Sequence, residues 1–205
     1  MRLLDLFCGA GGAAMGYQRA GFEVVGVDIN PQPHYPFEFH QADALAYPLD
    51  GFDVIHASPP CQRYSTMTKR HAGCPESHPD LIGDVRDRIL PYGQEIVIEN
   101  VPGAPLAPGS LMLCGSMFGL KLRRHRLFEC SRLMLPPRDC DHSTPVVGVY
   151  GHPGGSSKRD GRSFGSTADW REAMGIDWMT TKEMAESIPP AYTEWIGTRL
   201  MEIIA

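Results

Sequence analysis

The apolar positions of the first hundred residues fall in short runs separated by glycine, proline and acids. Arg2 to Phe7 is mostly apolar without alternation, the form of a strand buried on both faces, and Glu23 to Val27, ending at Asp28, repeats that form with valines. Ala13 to Ala20, between them, predicts a helix. Further short strands are expected near Phe39, at Phe52 to Ala57 and at Glu95 to Glu99, with a helix over Leu81 to Tyr92 before the last. Strands alternating with helices imply an α/β fold with a doubly wound parallel sheet. Ligands of such sheets sit beyond the carboxyl ends of the strands, so the residues just after each strand are the ones to search for chemistry.

From Pro136 to Ser166 the texture changes to Pro, Gly, Ser and His, which predicts an irregular, extended and mobile excursion. Helical pattern resumes at Thr167 to Met174. Thr180 and Thr181 offer an N-cap for a short helix over Lys182 to Ser187, Pro189-Pro190 interrupts, and Ala191 to Ile204 closes as a helix. The expectation is one domain over residues 1–205, with 129–182 as a small irregular segment inside it.

Composition narrows this little. With 205 residues, 42% of them hydrophobic, the chain can bury a full core, and no stretch approaches the roughly 20 apolar residues needed to span a bilayer. An early acid, Asp5, does not suit a signal peptide, and six scattered cysteines do not suggest a disulfide framework. A cytoplasmic monomer is expected. The formal net charge of −5 is uneven: residues 119–171 carry ten Lys or Arg against five Asp or Glu. A basic segment on an acidic body suits phosphate binding on one face, although a solvated loop would look the same.

Three glycines, Gly9, Gly11 and Gly12, stand where the first strand must turn into a helix. Small residues let a ligand approach the backbone, and no P-loop lysine accompanies them. Asp28, at the tip of the second strand, is placed to accept hydrogen bonds from ribose hydroxyls, and Asp43, after the third, to bind an exocyclic amine of adenine. After the fourth strand, Ser58-Pro59-Pro60-Cys61-Gln62 holds a thiol in a stiffened turn. After the fifth, Glu99-Asn100-Val101-Pro102 presents a carboxyl. A thiol and an acid side by side suggest covalent catalysis with an acid partner.

Asp5 to Gly12, Pro59-Pro60-Cys61-Gln62 with Ser65, and Glu99-Asn100-Val101, in this order, resemble the cofactor motif and the two catalytic motifs of the DNA cytosine-5 methyltransferases. The resemblance spans the first two thirds of the chain. Leu122-Arg123-Arg124-His125-Arg126 is similar to the family's Gln-x-Arg-x-Arg motif, with Leu122 in place of Gln. Ile188-Pro189-Pro190-Ala191-Tyr192 takes the place of the family's C-terminal Gly-Asn-Ser-Val motif, as in short phage-type members.

The resemblance implies a fold of the Rossmann-like methyltransferase kind, S-adenosylmethionine as cofactor and double-stranded DNA as partner. It places the cofactor at Asp5, Phe7, Gly9, Gly11, Asp28, Ile29, Asp43 and Pro60, with Phe7 against the adenine. It makes Cys61, Glu99, Arg124 and Arg126 catalytic. DNA contacts are expected from Gln62 and Ser65, and phosphate contacts from Lys158, Arg159 and Arg162, set among glycine and serine. About 55 residues separate Phe128 from Glu183, so target recognition is minimal.

In such an enzyme the Cys61 thiolate adds to carbon 6 of a flipped-out cytosine and makes carbon 5 nucleophilic. An ordinary thiol is about 3% ionised at neutral pH, and half-ionisation takes roughly 2 kcal/mol, which Arg124 and Arg126 are expected to supply. Glu99 must hold a proton for ring nitrogen 3, which takes about 3.7 kcal/mol and requires burial. The same chemistry on RNA or a free nucleotide, a modified sulfonium donor, or a non-catalytic DNA-binding relic remain open alternatives. Cys130, Cys140, His142 and His152 lie within 23 positions but match no standard zinc finger, so packing without a metal is expected. Trp170, Trp178 and Trp195 are expected in the core, and Thr66 to Asp80 is similar to the family's mobile loop.

Overall fold

The computed structural model describes residues 1–65, 77–156 and 163–204. The expected strands form as β1 (Arg2–Leu6), β2 (Glu23–Asp28), β3 (Glu38–Gln41), β4 (Val54–Ala57) and β5 (Glu95–Asn100), all parallel. Two strands that the hydrophobic pattern did not predict, β6 (Leu111–Leu113) and β7 (Arg126–Cys130), complete a seven-stranded sheet in the order β3-β2-β1-β4-β5-β7-β6. Both pairs made by β7 are antiparallel, with Glu99 opposite Phe128 and Met112 opposite Leu127.

Alternation along the strands divides the core between the two faces. Leu3, Val24, Val54, Val97 and Phe128 face α1 (Gly12–Arg19) and the C-terminal helix, while Leu4, Val25, Ile55 and Ile98 face α2 (Ile82–Ile89). The sequence suggests one helix through Tyr92, but the α-helix stops at Ile89 and a 3₁₀ turn carries Leu90–Tyr92. Pro91 accounts for this, because it has no N–H for the next turn.

Past the sheet lie α3 (Thr167–Met174), α4 (Thr181–Glu186) and α5 (Pro190–Ile204). Helices α3 and α4 each begin with a reciprocal capping box, Ser166 with Asp169 and Thr180 with Glu183, a device worth about 1 kcal/mol. Pro190 starts α5 rather than interrupting it, since the first helical position needs no donor. Helix α5 packs on α1 at Gly16, where an added Cβ would stand 2.1 Å from Thr193 Oγ1 and 2.2 Å from Pro190 O. Gly16 costs α1 about 1 kcal/mol of helix propensity, less than the contact would lose by separation.

The stretch from Pro136 to Ser166 is irregular, as expected, but its described residues are tied down. Val147 N donates to Lys121 O, Gly148 N to Ser163 O and Gly154 N to Gly165 O, and Val149 is fully buried. Val149 joins Ala10, Leu122, Trp170, Met174 and Met184 in a third apolar cluster. Among the described residues, no helix is long and apolar enough to cross a membrane.

Candidate active site

The turns leaving β1, β2, β4 and β5 meet at one edge of the sheet. After β1 the backbone enters the left-handed region at Phe7 (φ 57°), Gly9 and Gly11 (φ 85°), and Cys8 N donates to Val27 O. A positive φ is uncommon for a residue such as Phe7, and here it turns the chain out of the sheet within one residue. Gly9 N donates to Asp28 Oδ2 (3.1 Å) and Asn30 N to Asp28 Oδ1 (2.9 Å), so one carboxylate joins the glycine turn to the tip of β2. Ile29 is 66% exposed beside it. Asp43 follows β3, exposed, with Oδ1 accepting from Leu45 N. Pro60 is half-buried after β4.

Asp5 lies fully buried beneath this turn, and neither carboxyl oxygen has a hydrogen-bond partner of ordinary geometry. Burial raises its pKa well above the usual carboxylate range, the charges of Asp28 and Glu99 add to that, and the Ala14 backbone only partly opposes it. Two neighbouring acids therefore act on Asp5 at this edge, and among the described residues no cation offsets them there. Such a crevice fits a ligand carrying positive charge, as the sulfonium and ammonium groups of S-adenosylmethionine do.

The thiol and carboxyl turns are neighbours. Parallel pairing of β4 with β5 sets Ala57 opposite Ile98, so Ser58 leaves the sheet beside Glu99, which stays paired with Phe128 of β7 near the end of its strand. Asn100 Nδ2 donates to Pro59 O (3.0 Å), and Asn100 Oδ1 accepts from Val101 N (2.9 Å). This fully buried amide locks one motif against the other. Arg126, from β7, brings its Nε to 3.0 Å from Glu99 Oε1, a short ion contact without hydrogen-bond geometry.

Burial raises the Cys61 thiol above its ordinary value. Arg126 and Arg124 pull it down and Glu99 pushes it up. The arginines thus act in the expected sense, but desolvation outweighs them, so Cys61 is not a ready thiolate at rest. Glu99, 6% exposed, also lies above its ordinary value: burial raises it, while Arg126, a hydrogen bond from Ser58 and Arg124 lower it. This is the direction a proton donor needs.

Behind Ser58 is a buried relay absent from the sequence reading. His56 Nε2 lies 2.8 Å from Ser58 Oγ, and His56 Nδ1 lies 3.0 Å from Tyr17 OH. Complete burial pushes the His56 pKa down to about 3, so the ring is neutral at physiological pH. One signal was available: a histidine within an apolar strand must find partners on both sides.

Arg124 is also buried, and its guanidinium faces carbonyls. Nη1 donates to Ala185 O and Ser187 O, and Nη2 to Val149 O and Ala185 O. Arg123 donates to His142 O and Thr144 O. Leu122, where the family has Gln, is 1% exposed and belongs to the apolar cluster, which explains the departure. Tyr192 OH donates to Arg124 O, and Trp178 Nε1 to Ala10 O, so the C-terminal elements reach both the arginine stretch and the glycine turn. Trp170 is fully buried in the core.

Gln62 is exposed in the turn after Cys61, and Ser65 N donates to Cys61 O. Lys158, Arg159 and Arg162, and most of the Thr66 to Asp80 loop, lie outside the described residues. The five described cysteines are free. Cys140 and His142 come together with Cys114 and His125; Cys130, in β7, and His152 are not part of that group.

Comparison with known proteins agrees with this arrangement. The chain is 29% identical over 134 residues to the type II methyltransferase M.HgiDI of Herpetosiphon aurantiacus, a match covering 58% of this chain and 42% of that protein. It is 32% identical over 122 residues to M.HgiGI from the same organism, covering 52% of this chain and 95% of the relative. The chain thus spans under half of the first relative and nearly all of the second. The methyltransferase EhMeth of Entamoeba histolytica shares the fold, at a TM-score of 0.64 and 15% identity, over 100% of this chain and 99% of that one. The family model for C-5 cytosine-specific DNA methylases matches residues 1–105, half of the chain, and with the thiol and acid turns that those residues form, it establishes that this protein belongs to the C-5 cytosine-specific DNA methylases, whose methyl donor is S-adenosylmethionine.

Proposed function

We propose that this chain methylates carbon 5 of cytosine in double-stranded DNA through a covalent adduct at Cys61. One observation carries the reading: Cys61 and Glu99 emerge from adjacent parallel strands, joined by the Asn100 to Pro59 hydrogen bond, with Arg126 against the acid. Asp28, Ile29, Asp43, Phe7 and the glycine turn would hold S-adenosylmethionine, with the buried Asp5 carboxyl beneath it. When bound, that cofactor supplies an electrophilic methyl group to carbon 5.

The remaining work falls to the protein. Cys61 loses its proton to solvent as the flipped base enters, and its sulfur bonds to carbon 6. Glu99 delivers a proton toward ring nitrogen 3, which takes up the displaced electron pair. After methylation a water molecule takes the carbon 5 proton, the electron pair it leaves re-forms the ring double bond between carbons 5 and 6 and expels sulfur as thiolate, and ring nitrogen 3 returns its proton to Glu99. The Tyr17–His56–Ser58 relay orients Glu99 without contributing charge. Arg126 offsets the negative charge that arrives with the thiolate. Arg124 acts mainly by fixing chain segments around the base. Gln62 and Ser65 face the target, and Lys158, Arg159 and Arg162 neutralise phosphates.

The test offers the protein tritiated S-adenosylmethionine with duplex DNA, RNA and free cytosine nucleotides in parallel. Label is expected in 5-methylcytosine of duplex DNA, and duplexes carrying 5-fluorocytosine at the target should trap a covalent complex, because fluorine cannot leave as the proton does. Label confined to RNA or nucleotides would reassign the acceptor. N4-methylcytosine as product would end the covalent reading.

A further inference from the structure

Away from the thiol and acid turns, four potential metal ligands converge from three parts of the chain. Cys114 caps the 3₁₀ turn Gly115–Phe118 after β6, His125 precedes β7 by one residue, and Cys140 and His142 belong to the irregular segment. One ligand atom from each lies within 4.8 Å of all the others. Cys114 Sγ stands 3.6 Å from His142 Nε2, His125 Nε2 stands 3.3 Å from Cys140 Sγ, and Cys140 Sγ stands 2.7 Å from His142 Nε2. The two imidazole rings meet at 5.1 Å between centroids.

Two thiolates and two imidazoles form the donor set that zinc takes in closed tetrahedral sites. With zinc–sulfur bonds near 2.3 Å and zinc–nitrogen bonds near 2.0–2.1 Å, the edges of such a tetrahedron are about 3.3–3.8 Å. Two of the three separations fall in that range, and the third must open by roughly 0.9 Å. The surroundings also suit thiolates. Ser116 Oγ lies 3.4 Å from Cys114 Sγ and 3.7 Å from Cys140 Sγ, where a hydroxyl donates to ligating sulfur. Arg123 holds the carbonyls of His142 and Thr144, fixing the backbone that carries the fourth ligand.

We propose that Cys114, His125, Cys140 and His142 bind one Zn²⁺ ion that fastens the irregular segment to the strand carrying Arg126. All four positions come from protein, leaving none for substrate, so the ion is structural. Its consequence lies in its neighbours: His125 stands between Arg124 and Arg126, and an ion held there fixes both arginines and the path of residues 131–149 together.

Elemental analysis of protein purified without chelator, then incubated with Zn²⁺ and desalted, should give about one zinc per chain. Cobalt(II) added to chelator-treated protein should produce the intense visible bands of a tetrahedral thiolate site. Cys140→Ser and His142→Ala should each lose the ion, whereas Cys130→Ser should keep it. Chelation should also speed proteolysis within residues 131–149. Zinc below a tenth of an equivalent in the parent protein would overturn the proposal. So would full zinc in both ligand variants, or a Cys114–Cys140 disulfide in metal-free parent protein.

Discussion

The edge where β1, β2, β4 and β5 end and the segment that follows β7 are built in opposite ways. At the edge, each candidate side chain sits near the carboxyl end of its own strand, as Asp28 and Glu99 do, or in the turn beyond it, as Cys61 does, and short backbone and side-chain hydrogen bonds join neighbouring strand ends, as Asp28 does for Gly9 and Asn100 for Pro59. The segment from Ser131 to Ser156 contains no helix or named strand, and its position depends on side chains reaching in from elsewhere. Three of four consecutive residues supply much of that reach. Arg123 holds His142 and Thr144, Arg124 holds Val149 and the end of α4, His125 meets Cys140, and Arg126 turns back to Glu99. A candidate reaction centre can thus be specified by neighbouring strand ends, while a segment without regular structure draws on a few long polar side chains beside its backbone hydrogen bonds and the buried Val149.

The contrast can be broken most severely at Cys61. Cys61→Ala should abolish methyl transfer and 5-fluorocytosine trapping while S-adenosylmethionine still binds by calorimetry, because the thiol is not part of the edge's hydrogen-bonding frame. Retained methylation would remove the covalent step. Glu99→Gln should lower the trapping rate by about 10²- to 10⁴-fold, the usual loss when a general acid is replaced by an amide. An unchanged rate would mean that Glu99 holds the base without protonating it.

Arg124→Ala probes the segment itself. It leaves three buried carbonyl groups short of a charged donor and should destabilise the protein by about 3–5 kcal/mol in urea unfolding. Proteolysis should then cut first near Val149; cleavage spread evenly over the chain would show that Arg124 supports the whole fold instead. Asp28→Ala should weaken S-adenosylmethionine binding by about 1–3 kcal/mol, since ribose hydroxyls would lose their acceptor. Unchanged affinity in a folded variant would take Asp28 out of the site.

The smallest expected effect concerns pH. Asp5 has a higher pKa folded than unfolded, so it favours the folded state below the ordinary carboxylate value of about 4, and that contribution is lost as pH rises through its folded value. Asp5→Asn should therefore flatten the fall in stability from about pH 4 upward. A parallel slope in the two proteins would mean that Asp5 titrates alike in the folded and unfolded chains.

The same contrast explains what could be read from the sequence. Strands β1, β2, β4 and β5 were legible because each is a mostly apolar run ended by turn residues, whereas β3, Glu-Phe-His-Gln and largely exposed, could be placed only near Phe39; helix α3 was legible to the residue. Strand β7 was not: Arg126, Glu129 and Cys130 interrupt its pattern, and its pairing with β5 spans about thirty residues. Strand β6 has only three residues. The Cys and His cluster was missed for a related reason. Proximity in sequence grouped Cys130 and His152 with Cys140 and His142, whereas folding brings in Cys114 from the turn after β6 and His125 from before β7. The upward pKa of Cys61 was illegible too, because burial can be weighed against two arginines only in three dimensions.

Helix α5 has a consequence for how the protein is made. Thr193 Oγ1 donates to Ala13 O across 180 positions, and Gly16 and Tyr17 of α1 lie against Pro190, Thr193 and Gly197. The helix that follows the glycine turn is therefore left without its cover until those intervening residues have been translated. At about 5–20 residues per second, that wait lasts roughly 10–40 s. A nascent chain can pair β1 with β2 early, but the helix behind the glycine turn gains its apolar cover only once α5 has been made, so the candidate cofactor crevice is among the later parts of this fold to become rigid.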